Sequence, residues 1–171
     1  MPALTAEDSV LLVVDLQQRL MPAISGAPEV LRNAARLVRA ATRLDVPMIT
    51  TEQDPTKLGP TVDEIADLLP APAVTKSTFA AELDLPRPHA VVCGCEAHVC
   101  VLQTVLALRA EGHAVAVVAD AIGSRAPENR DAAVARMRDH GVEVVTTEMV
   151  VFEWLGSSRN PAFREVQALI R

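Results

Sequence analysis

Aromatic residues are nearly missing from this chain: its 171 residues include no tyrosine, three phenylalanines and one tryptophan. Little ring surface is therefore on hand to flank a substrate. Basic runs are missing as well. The formal net charge is −6, which disfavours nucleic acid and anionic membranes as partners. No apolar stretch reaches the roughly 20 residues that cross a bilayer as a helix. The apolar start, SVLLVVDLQQRL, has no basic leader region and carries Asp15 in its middle, so no secretory signal is read there. Cysteines number three, an odd count confined to the stretch Val91–Val101, which makes a disulfide framework implausible. These absences describe a soluble, cytoplasmic protein of a reducing compartment. Several catalytic signatures are absent too. There is no G-x-S-x-G elbow, P-loop or G-x-G-x-x-G, and no zinc-deaminase pattern. AIGSRAPENR has one glycine, too few to cradle a dinucleotide, and no cofactor is expected.

What is present is ordinary globular material. Half the residues are apolar and 22% are charged. The length fits one domain over residues 1–171, and no linker or repeat divides it. Apolar, β-branched runs alternate with helical patterns. SVLLVVD, VPMITTE, PAVTKS, HAVVCG, HAVAVVAD and VEVVTT read as strands. APEVLRNAARLVRAATRL carries apolar residues at helical spacing, with Arg32, Arg36, Arg39 and Arg43 on its wet side. A second helix is expected from about Val99 to Glu111 and closes at Gly112. A third is expected between Pro127 and Gly141, and a closing one is capped by Asn160 with Pro161 in its first turn. Continuous apolar strands between helices predict a doubly wound α/β domain with a parallel sheet covered on both faces.

Open parallel sheets bind ligands beyond the carboxyl ends of their strands. Asp15 ends the first predicted strand, Glu52 and Gln53 the second, Lys76 the third and Asp120 the fifth, while GCEAHVC follows the fourth. An acid, an amine and a thiol thus share one edge. Asp15 follows five apolar residues, and that setting suits a partly desolvated base; it also suits a loop residue that caps the next turn. Lys76 is either a charge that tunes its neighbours or a surface lysine at a strand end. Cys100 falls early in a helix, where free N–H groups and the dipole favour a thiolate and an oxyanion. It is otherwise a small buried residue of an apolar helix.

VVCGCEAHVCV offers other chemistries. Cys93, Cys95, His98 and Cys100 are enough ligands for zinc. They are split between a strand and the following helix, however, and no second knuckle exists. A disulfide between Cys93 and Cys95 would be strained. Cys93 is read as core, Cys95 as lining the turn, and His98 as a helix-start or surface residue.

Three segments carry a resemblance to a known family: LLVVDLQQRLMPAI with Asp15, VTKSTF with Lys76, and VVCGCEAHVCVLQT with Cys100. The chain resembles the isochorismatase-like cysteine hydrolases over nearly its whole length. TEQDPTKLGPT, VVADAIGSR and TTEMVVFEWLG resemble the isochorismatase domain-containing subgroup. The resemblance implies a three-layer α/β/α fold with a six-stranded parallel sheet in the order 3-2-1-4-5-6. It implies an Asp15–Lys76–Cys100 triad, a cis Cys95–Glu96 peptide, and an oxyanion held by N–H groups near Ala97 and Cys100. The implied reaction is hydrolysis of a small amide or related C–N bond through a thioester, in a homo-oligomer of two or more subunits.

Departures from the family pattern narrow this reading. Metal-dependent nicotinamidases of the superfamily carry an Asp and two His beside the pocket, whereas TTEQDPTKLG has no histidine. No catalytic metal is therefore expected, and nicotinamide is disfavoured. True isochorismatases act on a vinyl ether and need no cysteine. The usual Asp near the nucleophile turn is His98 here. Gln17, Glu52, Phe79 and Glu96 are expected around the pocket, with the two glutamates making its mouth acidic unless they pair with Lys or Arg. A non-catalytic or redox-responsive binding module on the same fold is the alternative reading, and isochorismate hydrolysis a minor one.

Overall fold

Leu11 and Val13 point to one side of the first strand and Val10, Leu12 and Val14 to the other, as the two-residue period of a strand requires. All five are fully buried. A strand covered on both faces reads as one continuous apolar run. In a computed structural model, which describes residues 4–171, this run is β1 (Ser9–Val14). It lies at the centre of a six-stranded sheet with β2 (Met48–Gln53), β3 (Val74–Lys76), β4 (His89–Cys95), β5 (Ala114–Gly123) and β6 (Glu143–Val145). Every pairing is parallel, and the order is β3-β2-β1-β4-β5-β6. The expected doubly wound topology is present.

Two apolar layers flank the sheet. On one side, Leu11 and Val13 pack with Ala34, Leu37, Val38 and Ala41 of α1 (Ala27–Arg43) and with Trp154 of α6 (Thr147–Leu155). On the other, Val10, Leu12 and Val14 pack with Val105 and Leu108 of α4 (Leu102–Ala110) and Met137 of α5 (Pro127–Asp139). Short helices α2 (Pro55–Leu58) and α3 (Asp63–Ala66) follow β2, and α7 (Phe163–Ala168) closes the chain. Cys93 and Cys95 lie in the α1 layer and Cys100 in the α4 layer. The sheet therefore separates the first two thiols from the third.

Three sequence expectations change. Gly94 does not break the fourth strand, because β4 runs on to Cys95. At φ +125°, a Cβ on Gly94 would lie 2.0 Å from the Val14 carbonyl oxygen, so only glycine lets β1 and β4 meet there. Asp120 does not end the fifth strand. β5 advances from Val117 to Ile122 while β4 advances from Val92 to Gly94, and the resulting bulge holds Asp120. Its carboxylate accepts from Thr147 N–H (2.8 Å) and Oγ1 (2.9 Å) and so caps α6, away from the other strand-end residues. The segment MVVFEWL lies in α6. There Trp154 is buried and donates to Ser9 Oγ (3.0 Å), while Phe152 is exposed. The closing helix begins three residues after Asn160, whose Oδ1 accepts from Ala162 N–H at 2.9 Å just ahead of it.

Candidate active site

The end of β1 turns sharply because Asp15 adopts φ +50°, a left-handed conformation that aspartate tolerates better than most side chains. Its N–H still donates to the Thr51 carbonyl (3.2 Å), so the residue stays anchored to β2. Its carboxylate is fully buried. Thr51 Oγ1 donates to Oδ1 at 2.7 Å and Lys76 Nζ to Oδ2 at 2.9 Å.

Lys76 reaches Asp15 from the edge strand β3, across β2. Its side chain is 7% exposed. A buried ammonium has to place its three donors, and four oxygens surround this one. They are Asp15 Oδ2 (2.9 Å), Gln53 Oε1 (2.7 Å), and the carbonyls of Thr78 (3.2 Å) and Phe79 (3.1 Å). Lys76 is thus a fixed charge with its hydrogens committed. A cleft of about 350 Å³ opens beside it, lined in part by Thr51, Val74, Ser77, Thr78, Glu82 and Leu83.

Cys100 lies in a single π-helical turn (Ala97–Val101) that leads into α4. The first N–H groups of a helical segment have no intrahelical partner. Here the Glu96 carbonyl takes Val99 and Val101. The Cys95–Glu96 peptide bond is cis. Burial pushes the Cys100 thiol up to about 12; the charge and hydrogen bond of Asp15 push the same way, and those of Lys76 pull it down. Burial thus works against the thiolate that the start of a helix favours. Burial alone pushes Cys93 up to about 12, and Cys95 is raised mainly for the same reason.

These three residues come from β1, β3 and the turn after β4, at one edge of the sheet. Residues 9–149 match the Isochorismatase domain family. Isochorismatase domain-containing protein 2 of Homo sapiens is 39% identical over 171 residues, spanning 95% of this chain and 83% of the human protein. The chain belongs to the isochorismatase family. Among solved structures, MAR1 ribonuclease from Caenorhabditis elegans superposes with a TM-score of 0.94 at 35% identity, over 99% of this chain and 92% of that one. YcaC from Pseudomonas aeruginosa, solved with hexane-2,5-diol and covalent acrylamide, gives 0.89 at 27% identity, over 98% and 91%.

For an isochorismatase-family member, several expected pocket residues sit elsewhere. Gln17 is fully buried. Its amide donates to the carbonyls of Gln53 (3.0 Å) and Gly59 (2.8 Å) and accepts from Gln53 N–H (2.8 Å), so both of its donors are used on the main chain. Glu52 alternates with Thr51 and Gln53 and so faces the other side of β2. Its Oε1 accepts from Thr61 N–H and Oγ1, both at 2.8 Å, in a separate cavity of about 520 Å³. Phe79 is 51% exposed, and its carbonyl is the group that contacts Lys76. Glu96 is buried and bound by Arg125, through N–H at 2.9 Å and Nε at 3.0 and 3.1 Å. Neither glutamate is therefore a free charge beside Lys76. His98 is half-buried against Ser124 Oγ (2.9 Å). Thr51 and Arg125 were missed as site residues. Thr51 sits inside an apolar run as any strand threonine does, and Arg125 lies in a loop whose contact with Glu96 no local pattern signals.

Proposed function

We propose that this protein is a metal-independent cysteine hydrolase that cleaves a small amide or related C–N bond through a Cys100 thioester. The observation that carries this reading is the buried Asp15–Lys76 pair, whose charges and hydrogen bonds both act on the Cys100 thiol. With that thiol near 12, only about one molecule in 10⁵ carries a thiolate at pH 7. The proton therefore has to leave as attack occurs, and Asp15 is the base beside it.

Asp15 takes the Sγ proton while sulfur bonds to the carbonyl carbon. The oxyanion leans on N–H groups near Ala97 and Cys100 at the start of the helical turn. Asp15 returns its proton to the nitrogen, the C–N bond breaks, and an amine leaves a thioester behind. Asp15 then takes a proton from water, the hydroxide adds to the thioester, and the C–S bond breaks. The thiol recovers the proton and a carboxylic acid departs. Lys76 takes no proton in these steps and tunes Asp15 and the thiol. Covalent acrylamide in YcaC is in keeping with such a site, since acrylamide is an electrophile that thiolates add to.

The last residues of β2 support the metal-independent part, because Glu52 is engaged with Thr61 and Gln53 with Lys76 and Ser77. Burial and raised thiols at Cys93 and Cys95 argue against a redox-responsive module. The MAR1 ribonuclease neighbour gives a second reading, opposed by the net charge of −6. A panel of small primary amides and ureides, with RNA and isochorismate as further arms, tests these readings. Amide turnover that disappears in Cys100→Ala, with a thioester on Cys100 by mass spectrometry, supports the proposal. Turnover of RNA or isochorismate that survives Cys100→Ala defeats it. We also read the chain as a single-domain homo-oligomer, which light scattering checks.

A further inference from the structure

β2 sends two side chains towards the paired charges, and only Thr51 has an evident task. Thr51 and Gln53 are two residues apart, so they share a face of the strand. Thr51 clamps Asp15. Gln53 is the register partner of Lys76 in the β2–β3 ladder, and its Oε1 accepts from Nζ at 2.7 Å, closer than the 2.9 Å from Nζ to Asp15. Its amide orientation is fixed. Nε2 donates to the Ser77 carbonyl at 2.7 Å, and a flipped amide would set its NH₂ against the ammonium. The main chain of Gln53 is held on both sides by the buried Gln17, through Oε1 (2.8 Å) and Nε2 (3.0 Å).

We propose that Gln53 is a positioning residue, a neutral amide that fixes the Lys76 ammonium so that its charge acts undivided on Asp15 and Cys100. The inference rests on the cysteine-nucleophile reading above. Of the four oxygens around Nζ, only that of Asp15 is charged. The other three meet the hydrogen-bonding needs of a buried ammonium without adding negative charge. A glutamate at position 53 would keep the shape and the acceptor but divide the charge of the lysine, making a thiolate at Cys100 harder to form. A leucine would delete the shortest contact to Nζ and release the Ser77 carbonyl.

The test alkylates the full chain with iodoacetamide at several pH values between about 7 and 9, following each cysteine by peptide mass mapping. Wild type is compared with Gln53→Glu, Gln53→Leu and Lys76→Ala, and each is also melted thermally. Below the thiol pKa the rate changes about tenfold for each unit that the pKa moves. Gln53→Glu is expected to slow Cys100 about tenfold and Gln53→Leu several-fold, with Cys93 and Cys95 unchanged in both. If Lys76→Ala slows Cys100 and neither Gln53 variant does, the proposal is overturned, and a lowered melting temperature then marks Gln53 as structural only. If Lys76→Ala also leaves Cys100 unchanged, the nucleophile reading itself fails and this proposal falls with it. Should Gln53→Leu not fold, the isosteric Gln53→Glu decides the matter.

Discussion

Removing the Lys76 ammonium while keeping its length, as in Lys76→Met, probes the pair at the centre of the site. The carboxylate of Asp15 is fully buried, and the two charged atoms are 2.9 Å apart. At an effective dielectric constant of about 20 their attraction is about 6 kcal/mol, against about 0–1 kcal/mol net for an exposed pair. Desolvation of two ions offsets much of this, yet deleting one partner leaves the other buried and unmatched, at about 3–5 kcal/mol. In Lys76→Met, Asp15 loses its only cationic partner and keeps the neutral hydroxyl of Thr51. For a chain of this size each kcal/mol lowers the melting temperature by about 2–4 °C, so a fall of about 6–20 °C is expected. The double variant Asp15→Asn/Lys76→Met should recover a large part of the loss. Urea denaturation of the four members of that cycle gives the coupling energy. A loss under about 1 kcal/mol in Lys76→Met, with no coupling, would refute the picture of a dry, mutually dependent pair.

Two further outcomes follow from burial and close packing. Gly94→Ala puts a Cβ 2.0 Å from the Val14 carbonyl oxygen, so β1 and β4 would have to part. A loss of more than about 3 kcal/mol or failure to fold is expected, and a melting temperature within a few degrees of wild type would contradict it. The Cys93 thiol is raised from 9.0 to about 12 by burial. The unfolded chain then loses that proton first as pH rises, so the stability it contributes is intact below about pH 9 and declines between about 9 and 12, by about 1.4 kcal/mol per pH unit. Urea melts of wild type and Cys93→Ala should diverge in slope by that amount over this range. Parallel curves would mean that the thiol is not desolvated.

The sheet was legible because both of its faces are buried. β1 reads as an unbroken apolar run for the same reason that it sits centrally, and the α1 pattern survives because one side of that helix faces water. The ends of elements were less legible. Nothing local to Asp120 signals a bulge, since the bulge comes from how β5 and β4 fall out of step. In the site, Asp15 and Lys76 were marked by position, each the first strong charge after a strand. Glu52 carried the same mark, but strand alternation turns it to the other side of β2, and Gln17 is held by main-chain partners distant in sequence that no local pattern shows. What burial does to the Cys100 thiol was hidden for a related reason. Helix position is visible in sequence, whereas desolvation depends on everything that packs around the sulfur.

The most direct test of the central claim is the alkylation rate of Cys100 in wild type, Asp15→Asn and Lys76→Ala at one pH near 8, read by peptide mass mapping beside Cys93 and Cys95. Asp15 raises this thiol and Lys76 lowers it. Cys100, 6% exposed where Cys93 and Cys95 are fully buried, should react fastest of the three cysteines, faster still in Asp15→Asn and more slowly in Lys76→Ala, even though Asp15→Asn abolishes turnover of any amide. A Cys100 no more reactive than Cys93 and Cys95, or one that neither substitution moves, would contradict the assignment of nucleophile, base and tuning charge.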